Sequence, residues 1–125
     1  MYDIETDRWT EVASMKEKRY QHSCLTISTS SESKVLVCGG RGRTDCEIWT
    51  NGQWTNGPTV PSSRSGSRMI KPSLNSQYAA FVVGGYESGA TNKIYGIKKD
   101  LTSVTMVGTF QQARRDHVAL QTKSQ

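Results

Sequence analysis

Apolar residues along this chain come in short bursts. Val35 to Cys38, Tyr78 to Val83 and Lys93 to Ile97 are each bounded by clusters of Gly, Ser, Thr and Asn, a pattern of strands and turns. Helical spacing is scarce, so the predicted class is all-β. The segments "QHSCLTIS", "KVLVCGG", "CEIWT" and "QWTNG" read as four successive strands, and "SRMIKPS", "YAAFVVGG", "KIYGIK" and "VTMVGTF" as four more. Asn51-Gly52 between two of them predicts a type I′ hairpin, whose central residues both need positive φ. "VLVC" and "AAFVV" are apolar at successive positions, so these strands need cover on both faces.

The pattern repeats. Gly39-Gly40 returns as Gly84-Gly85 at an offset of 45, Trp9 returns as Trp54, and Met15 and Arg19 fall on Val60 and Arg64. A third copy follows at an offset of 50, with Val60 mapping to Phe110, Arg64 to Arg114, and Ser67, the counterpart of His22, to His117. Arginine to diglycine is twenty residues in both complete copies, which places a third diglycine at position 134, beyond residue 125. The extra length of the second copy falls in "YESGATN" or "KKDLTS", because connections absorb insertions more readily than strands.

Four-stranded units with both faces apolar, recurring every 45 to 50 residues, stack as the blades of a β-propeller. The expected division is residues 1–18 as the last two strands of a blade, 19–63 and 64–113 as complete blades, and 114–125 as the first strand of the next. That is a partial propeller of two and a half to three four-stranded antiparallel blades. Such an arc needs the rest of the propeller, or further copies, to cover its edges. The glycine pairs supply backbone conformations closed to other residues. Trp9 and Trp54 are expected to fill the wedge between adjacent sheets.

These residues resemble a kelch repeat, with its diglycine closing the second strand, its aromatic about six residues before an apolar position, and its arginine opening the next unit. "YDIETDRWTEVASMKEKR" at residues 2 to 19 is similar to that pattern almost position by position. Departures are Val104 in place of a third tryptophan, Val60 and Phe110 in place of methionine, and Trp49-Thr50 and Tyr95-Gly96 in place of Tyr-Asp. Each keeps an apolar or aromatic group at a packing position. The resemblance implies a protein-interaction module. It extends to kelch substrate adaptors of cullin ubiquitin ligases, whose loop arginines and serines grip acidic peptides and whose loops "RSG" at 64 to 66 resembles. Actin-associated scaffold propellers and copper oxidases of the galactose oxidase kind are the other functions the resemblance offers.

Charge then selects candidates. Sixteen Lys and Arg against eleven Asp and Glu leave +5, which favours an acidic partner without the basic arm of a nucleic-acid binder. The peptide-binding candidates are Arg41, Arg43, Arg64, Ser65, Arg68, Arg114 and Arg115, since a guanidinium offers paired donors to a carboxylate. Arg64 and Arg114 recur with the unit, as does Arg19, which suits a brace between sheets. Arg41, Arg43 and Arg68 occur in one copy and suit a ligand better.

Other chemistry finds little support. "GGRGR" lacks the second half of a dinucleotide fingerprint and no helix follows it. His22 and His117 share a repeat position and lack ligand-like spacing, and no nucleophile elbow is present. The expectation is a non-enzyme without cofactor or metal, with a protein or acidic peptide as partner and neither nucleic acid nor membrane. Cys24, Cys38 and Cys46 lack CxxC spacing, so Cys38 is expected as a buried free thiol in a cytoplasmic protein.

Overall fold

The computed structural model describes residues 1–86 and 88–114. It is all-β among these residues, with ten strands in three antiparallel sheets. A short ladder joins β1 (Tyr2–Asp3) to β2 (Arg8–Trp9). Two four-stranded meanders follow. The first orders β3 (Ser23–Ser28), β4 (Ser33–Cys38), β5 (Asp45–Thr50) and β6 (Gln53–Thr59) side by side. The second does the same with β7 (Arg68–Ile70), β8 (Tyr78–Val83), β9 (Thr91–Lys98) and β10 (Val104–Arg114).

The two runs apolar at successive positions become the second strand of each meander. Leu36, Val37 and Cys38 on β4 are buried in succession, as are Ala79, Ala80, Val82 and Val83 on β8. One apolar cluster spans both sheets, with Leu36, Cys38 and Ile48 from the first and Ala80, Val82 and Ile97 from the second, and Val60 from the connection. β3 lies beside β7, and there the Ser23 and Ser67 hydroxyls meet at 3.1 Å in a buried hydrogen bond. The hairpin β5–β6 turns on Asn51 (φ 49°) and Gly52 (φ 82°), the positive pair a type I′ turn requires.

The diglycines end β4 and β8 with nearly the same conformations, φ 68° and 111° at Gly39-Gly40 and 62° and 104° at Gly84-Gly85. Around each pair the same three backbone hydrogen bonds form. Gly39 N–H donates to Asp45 O (3.1 Å) and Gly84 N–H to Lys93 O (3.2 Å). Gly40 N–H donates to Arg64 O (3.3 Å) and Gly85 N–H to Arg114 O (2.7 Å). Arg41 N–H donates to Tyr20 O (3.2 Å) and Tyr86 N–H to Ser65 O (2.8 Å). A Cβ on Gly40 would sit 2.8 Å from Tyr20 O, and one on Gly85 3.1 Å from Ser67 Cβ, so close approach as well as conformation demands glycine.

Two expectations are corrected, at Trp9 and at Cys38. Trp9 is 81% exposed and stacks only on Tyr2, ring centres 5.1 Å apart, because no further strand lies beside the β1–β2 ladder among the described residues. Trp54 is half-buried on β6, and its indole Nε1 donates to Ala13 O at 2.8 Å, tying down the segment that leads into β3. Cys38 is not a free thiol: it forms a disulfide with Cys46, with Cα atoms 4.1 Å apart. The two face each other in register across β4 and β5, a pairing that follows from the hairpin and not from any CxxC spacing. β10 runs to Arg114, the residue at which the next unit is expected to open. Arg115, His117 and the expected strand over 117–124 lie outside the described residues.

Candidate functional site

The loops that follow β4 and β8, and the segments that enter β3 and β7, share one end of the two meanders. The candidate arginines Arg41, Arg43, Arg64, Arg68 and Arg114 lie toward this end, but only some face solvent.

Arg19 and Arg64 are buried braces. The Arg19 side chain is wholly buried; its Nη1 donates to Gly39 O at 3.1 Å and to Asp45 O at 2.8 Å. Arg64 is 1% exposed, its Nη1 reaches Gly84 O at 3.5 Å, and its guanidinium lies 4.7 Å over the Tyr95 ring. The twenty-residue spacing thus has a physical meaning: each arginine side chain reaches the first diglycine carbonyl twenty residues on. Arg64, placed among the peptide-binding candidates, has no surface to offer.

Arg43 is also committed. Its Nε donates to Asp45 Oδ1 at 2.9 Å and its Nη1 to Glu17 Oε2 at 3.0 Å. Asp45 pairs in turn with Arg19, whose Nη2 stands 3.6 Å from Glu47. Five charges therefore alternate in sign from Glu47, 2% exposed, through Arg19, Asp45 and Arg43 to the surface at Glu17. Glu47 Oε1 also accepts the Glu17 N–H at 3.0 Å. Burial opposes ionisation of Asp45, but hydrogen bonds from Arg43 and Arg19 outweigh it and hold its carboxyl below the usual range. Asp45 drew no notice in the sequence; its place two residues after Arg43 is the only signal it offers.

What remains on the surface is narrower. Arg41 is exposed at the tip of the β4–β5 loop and makes no side-chain ion pair or hydrogen bond among the described residues. Next to it the Gly42 N–H donates to Ser63 Oγ at 3.0 Å, which fixes the loop against the segment entering β7. Arg68 is half-buried, with Nη1 on Ser67 O at 3.0 Å. Arg114 is exposed, its guanidinium 6.0 Å from the Phe110 ring centre. Ser65 is half-buried and its backbone pairs with Tyr86.

No group of three or more His, Cys, Asp or Glu side chains that could hold a metal ion occurs among the described residues. No helix of the described residues is long and apolar enough to cross a membrane. No protein-family profile and no curated protein matches this chain.

Proposed function

We propose that the two meanders are adjacent blades of a kelch-type β-propeller, and that the chain serves as a protein-interaction module. The observation that carries this reading is the doubled junction: the same backbone bonds, the same glycine conformations and the same arginine-to-carbonyl reach occur twice. A unit whose contacts to its neighbour repeat in this way belongs to a stacked array, since each sheet needs the next to bury its face.

On this reading the diglycine end is the recognition face, and the partner is an acidic peptide, as for the substrate-recognition propeller of a cullin-type ubiquitin ligase adaptor. Arg41 makes the leading contact, because it is exposed and carries no intramolecular carboxylate among the described residues, with Arg114 and the edge of Arg68 as further contacts. Arg43 and Arg64 support the face from beneath.

The test is the affinity of a fluorescent glutamate-rich peptide for the chain. Arg41→Ala should weaken it about ten-fold, the scale of one charge-assisted hydrogen bond, and replacing the peptide's glutamates by glutamine should do the same. A peptide that binds the Arg41→Ala variant as well as the parent would end this reading and favour a scaffold whose contacts lie elsewhere.

A further inference from the structure

The opposite end of the two meanders holds a different surface. Here β3 finishes, the loop 71–77 leaves β7, and the turn after β9 begins. Between them opens a cleft of about 260 Å³ walled by Ile27, Pro72, Leu74, Tyr78 and Ala79. Its wall is mostly apolar, and its lip carries Lys71 and Lys99 but no carboxylate.

The cleft is built by packing. Tyr78 forms one wall because Gly96 lies beneath it: a Cβ at that position would come within 2.6 Å of the Tyr78 ring. The ring is held further by Phe81, centres 5.4 Å apart, and by Lys98, whose Nζ lies 5.5 Å from its centre. Ala79 is buried at the floor. Leu74 stands on the rim at 88% exposure, a large apolar side chain with no intramolecular burial.

The charges that line the mouth, Lys71 and Lys99, have one sign. Lys98 Nζ is bonded to Gln77 Oε1 (3.2 Å), and its charge helps the Thr102 N–H lower the Asp100 carboxyl, whereas Lys99 Nζ is bonded to the neutral Leu74 carbonyl (3.3 Å). The nearest carboxylate in sequence, Asp100, accepts the Thr102 N–H at 3.0 Å. Glu32, on the turn after β3, pairs with Lys34 at 3.1 Å. An apolar slot under a cationic lip selects an apolar anchor flanked by negative charge.

The geometry points to a second docking site here, for a peptide segment in which one leucine-sized apolar side chain enters the cleft and neighbouring carboxylates meet Lys71 and Lys99. It lies at the far end of the strands from Arg41, so the two sites are separable.

The probe is a five-residue peptide, one leucine between two pairs of glutamates with blocked ends, titrated into the isotope-labelled full chain. Saturable backbone amide shifts are expected at Lys71, Leu74 and Lys99. The surface variant Lys71→Glu/Lys99→Glu should weaken binding about ten-fold or more, as should leucine to serine in the peptide, while Arg41→Ala leaves it unchanged. Shifts confined to Arg41, Arg68 and Arg114 would overturn the proposal, as would equal binding of a lysine-flanked peptide. Self-association abolished by Leu74→Asp would assign the cleft to a second copy of this chain and overturn it too. So would capture by anionic phospholipid vesicles without peptide binding.

Discussion

Arg19 and Arg64 hold matching positions, and each reaches the carbonyl of a diglycine. Arg19 lies between Asp45 and Glu47, whereas Arg64 lies against the Tyr95 face. Arg19→Ala should therefore cost about 3–5 kcal/mol, because it strips the partner from the buried Glu47; urea unfolding measures it. The Asp45 carboxyl, held low in the folded state, contributes stability that is present above the unfolded carboxylate value near 3.9 and lost as pH falls through the lower folded value. Asp45→Asn should flatten that acid limb in pH-dependent urea melts. Glycine contributes by two mechanisms that a pair of variants separates. Gly52→Ala meets open space at φ 82° and should cost about 1–2 kcal/mol for conformation alone. Gly40→Ala adds the collision with Tyr20 O and should cost more than Gly52→Ala in the same assay.

At the level of elements, β4 and β8 were the most legible strands, each marked once by its apolar run and once by its counterpart in the other copy. The β5–β6 hairpin was legible from Asn51-Gly52 alone. The Cys38–Cys46 bond was not, because spacing rules for cysteine describe loops and metal sites, while this pair arises from strand register across the diglycine loop. Two cysteines immediately flanking a predicted hairpin loop were the available signal. Arg43 is unique to one copy, and what sets it apart is its pair of partners, Asp45 and Glu17. The disulfide closes a loop with a sequence separation of 8, for which chain entropy predicts about 2.5 kcal/mol. Adding reductant should lower the urea midpoint accordingly, and intact mass under alkylation should report two newly labelled thiols beyond Cys24.

For the whole molecule, the shared apolar cluster outranks the division into sheets. Leu36, Val60 and Ile97, all essentially inaccessible to water, belong to one cluster drawn from both meanders and their connection. The two sheets should unfold together: far-ultraviolet dichroism and exchange protection of β4 and β8 amides should report a single transition with one midpoint. Two separated midpoints would mean that the sheets stand independently. The repeat made this arrangement visible in the sequence, since runs apolar on both faces demand a neighbour. The lysine-rimmed cleft at the far end was invisible, because Ile27, Leu74 and Tyr78 come from different strands and loops that only the packing of β3 beside β7 brings together.

The arginine at each junction has a direction. Through its carbonyl Arg64 fills a socket on the sheet before it, at Gly40, and through its side chain it plugs a socket on the sheet that follows, at Gly84. Plug and socket travel on the same stretch of chain. In-frame duplication of residues 19–63 would thus bring its own fitting for both neighbouring sheets, with no new surface to invent.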